Sequence, residues 1–298
     1  MYGPGGRSPW LDVDWRKHQR WVLVDGQALN TIEFLAEEAP SAGEPLLFIH
    51  GLSGSWLNWL EQLPLFPGRR LIALDLPGFG SSPMPAEQIS MPGYARLLDR
   101  FLEELAIDAA TVVGTSMGGL IAAELAAAFP QRVRRLVLIS AAGISTLGQP
   151  GSLRGAAPLL GRLEPIAARV AGWGAAHAEI IARRPRLRKA ALRLVASHPD
   201  RLPAPLVAET IRGAGKPGFR QALDGLMAFD LRQRLGLIAC PTLIVWGDSD
   251  LVISVRDADI LAAGIRDSRK VIFTDTGHLS MLERPAAFNA LLQEFLSS

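Results

Sequence analysis

Cysteine is nearly missing from this chain. Cys240 stands alone among 298 residues, so no internal disulfide can form and packing must hold the fold. Its place before Pro241 and the apolar run Thr242–Trp246 marks it as a buried structural thiol rather than a nucleophile. No apolar stretch reaches the roughly 18 residues a spanning helix requires, so no membrane span is expected. The longest, such as Leu120–Phe129, are interrupted by charge or ended by proline. Charge of either sign is scarcely in excess: a net +2 is too little to argue for nucleic acid as a partner. Met1–Trp21 carries Asp12, Asp14, Arg16, Lys17 and Arg20 and lacks the apolar centre of a signal peptide. It reads as a leader or outer arm of a cytoplasmic protein. A Cys/His ligand cluster, a P-loop and a dinucleotide fingerprint are all missing, so neither a metal nor an organic cofactor is expected.

What is present is apolar and regularly spaced. Hydrophobic residues make up 49% of the chain, enough at this length for one large core. Trp21–Val24 and Ala28–Leu35 flank Asp25-Gly26-Gln27 and read as a β-hairpin. Six short apolar runs follow: Pro45–Ile49, Arg70–Leu74, Thr111–Val113, Leu136–Ile139, Thr242–Trp246 and Lys270–Phe273. Runs of this length are expected to be strands buried on both faces of a parallel sheet. Helical spacing occupies Gly93–Leu105, Met117–Phe129, Val255–Ala263 and Pro285–Leu296. Strand and helix alternate, so the fold class is α/β with a mostly parallel sheet flanked by helices.

The alternation lapses between Gly148 and Asp230, a proline-, arginine- and alanine-rich stretch without a convincing strand. It reads as several short helices inserted into the α/β pattern. The expected division is therefore a core over 1–147 with an N-terminal arm at 1–20, a helical insertion over 148–230, and a second core part over 231–298. Lys and Arg outnumber Asp and Glu by 13 to 6 between Ser152 and Asp230. That excess reads first as a solvated helical surface, with a membrane- or anion-binding face as the alternative.

The chemistry centres on Gly114-Thr115-Ser116-Met117-Gly118, a G-x-S-x-G element followed by Gly119. Such a short pattern is weak alone, but here it lies directly between a strand and a helix. A nucleophile elbow requires that placement: the turn strains the serine backbone, and Gly114 and Gly118 let strand and helix approach. Ser116 is then the candidate nucleophile. His278, in Thr276-Gly277-His278 between the last strand and the last helix, is the candidate base. A carboxylate between them in sequence should complete a triad, and Trp246-Gly247-Asp248-Ser249-Asp250 offers Asp250 and Asp248. In enzymes with such an elbow, the oxyanion hole draws one backbone N–H from the residue after the nucleophile. The other comes from an early loop that follows a strand. These are Met117 and, after His50-Gly51, Leu52. His50 is expected to brace that loop rather than perform chemistry.

Together these elements resemble the α/β-hydrolase superfamily, specifically its capped esterase, lipase and C–C hydrolase branches. The resemblance rests on His50-Gly51, Asp75-Leu-Pro-Gly-Phe-Gly80-Ser81, Gly114–Gly119, Gly247-x-x-Asp250 and Gly277-His278. It implies Asp250 as the triad acid, with Asp248 in reserve, and makes the helical insertion a cap over the active site. Trp173 and Met227 could line the pocket there, though cap core is the preferred place for both. The resemblance implies a serine esterase acting on a small to medium apolar ester, lactone or thioester. Ser116 stands where dehalogenases and epoxide hydrolases of this fold carry aspartate, and the only tyrosines are Tyr2 and Tyr94, too few for an epoxide-hydrolase cap. C–C hydrolases often place Trp after the catalytic histidine, where this chain has Leu279. A C–C hydrolase and a small-molecule receptor without useful turnover are the alternatives, and oligomeric state is left open.

Overall fold

A computed structural model describes residues 6–34, 43–66, 68–145, 172–212 and 216–298. Eight strands form one sheet: β1 (Gln19–Val24), β2 (Gln27–Phe34), β3 (Leu46–Ile49), β4 (Leu71–Leu74), β5 (Ala110–Thr115), β6 (Val133–Ile139), β7 (Thr242–Gly247) and β8 (Ser268–Phe273). Their spatial order is β1-β2-β4-β3-β5-β6-β7-β8. β1 and β2 form the expected hairpin, with Asp25 and Gly26 at positive φ in its turn. β2 runs antiparallel to β4, and every later pairing is parallel.

Side chains alternate between two cores, one on each face of the sheet. Leu47, Ile49, Val112 and Leu138 point to one, with helices α1 (Met91–Glu104) and α2 (Met117–Ala128). Leu46, Phe48, Val113 and Val137 point to the other, where the C-terminal helix contributes Phe288, Leu292 and Phe295. α1 begins where the Ser90 hydroxyl accepts the Gly93 N–H at 3.2 Å, with proline in its first turn. α2 is buried on all sides and carries one charge inward, Glu124, which Arg234 meets at 2.9 and 3.2 Å.

β8 departs from the expectation of strands buried on both faces. It is the last strand of the sheet, and Arg269, Lys270 and Ile272 are exposed. Arg269 pairs with Glu294 and Lys270 with Asp259, so the edge is guarded by charge. Cys240 is partly buried against the first core, and burial pushes its thiol up to about 11.

Between β6 and β7 the described residues hold helices and no strand: 172–176, α3 (Ala178–Arg183), α4 (Pro185–Leu192), α5 (Ala204–Arg212) and α6 (Phe219–Met227), joined by turns. The expected start of this insertion at Gly148 lies outside the described residues, as does Leu35 at the expected end of β2. Ala178, Ile181, Ala182, Leu192, Val207 and Ala208 form a small core of their own. After β7 come α7 (Arg256–Gly264), α8 (Ser280–Glu283) and α9 (Pro285–Ser297). No helix among the described residues is long and apolar enough to cross a membrane.

Candidate active site

Ser116 occupies the turn between β5 and α2 with φ 55° and ψ −119°, a conformation rarely adopted by a residue with a side chain. The turn closes because Gly114 and Gly118 have no Cβ. One at Gly114 would be driven into the Gly118 carbonyl, and one at Gly118 into the carbonyls of Ile49 and His50. The Ser116 N–H bonds the Ile139 carbonyl at 2.9 Å, and its own carbonyl accepts from Leu120 and Ala142. The strained serine is thus held by β6 and α2 together.

His278 and Asp250 come from the loops after β8 and β7 and meet directly. His278 Nδ1 donates to Asp250 Oδ2 at 2.8 Å, which leaves Nε2 as the ring nitrogen open to a proton. Both side chains are almost wholly buried. The Val252 and Ile253 N–H groups donate to Asp250 Oδ1 at 2.8 and 3.0 Å, so the carboxylate is satisfied on both oxygens. Asp248 points elsewhere. It is exposed, and its Oδ1 accepts from the Ser249 hydroxyl at 2.8 Å and the Thr276 N–H at 3.4 Å. Burial pushes its carboxyl upward, but these hydrogen bonds outweigh burial and hold it below its ordinary value. Asp248 therefore staples the histidine loop, while Asp250 touches the imidazole.

The loop after β3 lies against Ser116. A Cβ added at Gly51 would stand 3.0 Å from Ser116 Cβ, so the backbone leading into Leu52 passes close to the serine. Met117 opens α2, and its amide is among the first-turn donors that have no carbonyl one turn back. His50 is fully buried. Its Nε2 accepts the Leu76 N–H at 3.0 Å, so Nδ1 carries the proton and donates to the Gly51 carbonyl at 2.8 Å. Burial pushes its pKa down against the upward pull of the Asp75 carboxylate.

Two further residues fix this geometry and were not assigned roles from sequence. Asp75 is buried and accepts from Trp56 N at 2.8 Å through Oδ1, and from Ser81 N at 2.8 Å and Asn30 Nδ2 at 2.7 Å through Oδ2. It ties the loop bearing Leu52 to the turn after β4. Glu283 is fully buried and accepts from Gly277 N and Ser197 N, each at 2.9 Å. It ties the histidine loop to the helical insertion, beside the Leu279 N–H bond to the Val195 carbonyl at 3.1 Å. The sequence signal for Asp75 is an acid immediately after a buried strand. For Glu283 it is only the position five residues past His278.

Ser116 and His278 both line a cavity of about 540 Å³, within the range of small-molecule sites. Gly51, Leu52 and Asn58 form part of its wall, and Ile181, Leu187, Val195 and Ile211 form an apolar part from the helical insertion. Trp173 corrects the expectation that it is core: it is 59% exposed, stacks on His177 and lines the cavity. The small core of the insertion is filled by alanine and aliphatic side chains, leaving the indole at its margin. Met227 packs against the first core. Among the described residues, no cluster of His, Cys, Asp and Glu could hold a metal ion.

A family model described as alpha/beta hydrolase fold matches residues 44–285. The dihydrolipoyllysine-residue acetyltransferase component of an acetoin cleaving system from Cupriavidus necator is 34% identical over 256 residues. That match covers 85% of this chain and 63% of the other, so this chain spans under two thirds of that longer protein. A 2-hydroxymuconate semialdehyde hydrolase from a Pseudomonas species is 30% identical, covering 86% of this chain and 88% of its own. Among solved structures, a membrane phospholipase A superposes with a TM-score of 0.72 at 29% identity, covering 94% of this chain and 85% of the other.

Proposed function

Because this chain belongs to the α/β-hydrolase family, we propose that it is a serine hydrolase of the carboxylesterase kind. It would cleave the ester, or a related lactone or thioester, of a small to medium apolar substrate. One observation carries this reading: His278 is held at 2.8 Å by buried Asp250 and shares an apolar cavity with the strained Ser116.

The chemistry follows from that placement. His278 Nε2 takes the Ser116 proton as Oγ attacks the substrate carbonyl, and Asp250 holds the Nδ1–H tautomer and offsets the imidazolium charge. The tetrahedral oxyanion sits between the N–H groups of Leu52 and Met117, each worth about 3 kcal/mol to the transition state. The imidazolium then protonates the leaving group, and water, activated by the same histidine, hydrolyses the acyl-enzyme. Asp75 and His50 preorganise the oxyanion loop. The helices at 172–227 act as a cap, an assignment supported by Ile181, Leu187 and Ile211 sharing the cavity with Ser116.

The membrane phospholipase A and the 2-hydroxymuconate semialdehyde hydrolase among the similar proteins carry different substrates in their names. Leu279, beside His278, lines the cavity here and offers no polar group, which favours a simple acyl ester. Hydrolysis of p-nitrophenyl esters from acetate to long acyl chains, by wild type and Ser116→Ala, tests the proposal. Turnover confined to wild type, with a chain-length optimum, is the expected result. A folded wild type inactive on every ester would turn the reading towards C–C cleavage or ligand binding.

A further inference from the structure

The helical insertion presents an exposed apolar surface that its own core does not use and that continues past the cavity wall. Residues 172–194 contain Arg183, Arg184, Arg186, Arg188, Lys189 and Arg193 against one acid, Glu179. Four large apolar side chains in the same stretch face outward: Trp173 at 59% exposure, Ile180 at 50%, Leu187 at 38% and Leu194 at 69%. The small core beneath them is filled by Ala178, Ile181, Ala182 and Leu192, so the outward residues are surplus to it.

Their arrangement is directional. Leu187, Ala190, Ala191 and Leu194 follow helical spacing and form one stripe along α4 and just past its end. Leu187, Ala190 and Ala191 line the cavity that holds Ser116, and Trp173 lines it too. The exposed apolar stripe therefore runs outward from the cavity wall. Arg184 and Arg186 flank it on either side, and Arg193 and Lys189 lie further round the helix, with no carboxylate paired to any of the four among the described residues. Exposed Trp and Leu bordered by unpaired cations is the composition of a helix that lies in a lipid interface. A second copy would bring the same positive charge to its own and be repelled. A purely ionic partner would leave Trp173 and Leu194 in water.

We propose that this face docks on an anionic lipid surface, with the cations at headgroup level and Trp173, Leu187 and Leu194 in the acyl boundary. The cavity would then open towards the bilayer, so an acyl chain could pass from lipid to Ser116. That last step rests on the esterase reading above, whereas docking itself does not.

The test is flotation of the full chain with vesicles of phosphatidylcholine alone, or with about 30% phosphatidylglycerol to supply negative surface charge. Wild type should float with the anionic vesicles, far less with the neutral ones, and be released at about 0.5 M salt. Each cation contributes about fivefold to partitioning, so Arg186→Glu should weaken it by about twenty-fivefold. Leu194→Glu should weaken it as clearly. Neither residue lines the cavity, so both variants should retain wild-type kcat/KM on a soluble short-chain p-nitrophenyl ester. Wild type that stays unbound by anionic vesicles overturns the proposal, as does equal binding by both variants. A concentration-dependent dimer lost in Leu194→Glu, without vesicle binding, would also overturn it by assigning the face to self-association. Vesicle binding lost in the variants while wild type is inactive on esters would sustain docking and count against the esterase reading alone.

Discussion

Replacing Asp75 by asparagine changes one oxygen for an amide nitrogen at a buried position with three donors around it. Oδ1 accepts from Trp56 N, and Oδ2 from Ser81 N and Asn30 Nδ2. An asparagine can keep its carbonyl towards one side only. Kept towards Trp56, its NH2 faces the other two donors; turned round, it faces Trp56. A hydrogen bond to a charged group is worth about 1.5–3 kcal/mol, and a buried donor left unsatisfied costs about 1–3 kcal/mol. Asn30 can turn its own amide to offer its oxygen, which recovers part of the loss. The net expectation is a loss of about 3 kcal/mol, out of a total stability of about 5–15 kcal/mol for a folded domain. Urea unfolding followed by tryptophan fluorescence reads this as a lower midpoint at an unchanged m value. The loop bearing Leu52 loses its brace at Trp56 in the same variant; if its amide serves the oxyanion as proposed, kcat on a p-nitrophenyl ester should fall by about tenfold or more. A loss below about 1 kcal/mol, typical of ordinary surface substitutions, would refute the three-donor account.

Four other substitutions discriminate within the site. Asp250→Asn should lower kcat by about 10⁴ through the wrong imidazole tautomer, whereas Asp248→Asn should leave kcat close to wild type; the reverse order would exchange their roles. Glu283→Gln keeps one acceptor for the Gly277 and Ser197 amides where glutamate offers two, and should cost about 2 kcal/mol in urea. It should lower kcat on esters as well, and unchanged kcat and stability would remove Glu283 from the positioning of His278. His50 is buried neutral with its pKa pushed down. As pH falls below its unfolded value near 6.5, the unfolded chain binds a proton that folded His50 does not. Stability therefore falls by about 1.4 kcal/mol per pH unit from this group alone, until the folded pKa is reached. His50→Gln should make the slope between pH 6.5 and 5 shallower, and an unchanged slope would show that His50 is accessible to protons in the fold.

Much of this molecule is legible in its sequence because each central strand is a short apolar run with turn residues at its end. The six runs correspond to β3 to β8, and the elbow lies between β5 and α2 where the pattern placed it. The misjudged strand is β8, since an apolar run does not reveal that its strand closes the sheet and needs only one covered face. The contact of His278 with Asp250 rather than Asp248 depends on the path of the loop after β7, where two acids stand two residues apart; local pattern alone left both open. Asp75 and Glu283 have no legible role in the sequence because most of the donors that meet them are backbone N–H groups, which have no sequence signature, and the one side-chain donor to Asp75, Asn30, is 45 residues away. Trp173 was misplaced for another reason: a large aromatic in a helix predicts burial, and its exposure shows only when the neighbouring helices are packed.

The account turns on Ser116 being an activated nucleophile, and covalent labelling tests that without knowledge of the substrate. A fluorophosphonate probe should label the folded wild type, with mass spectrometry placing the adduct on Ser116, and should leave Ser116→Ala unlabelled. Labelling that is equal in the two proteins, or missing from a folded wild type, would contradict a Ser116–His278–Asp250 triad.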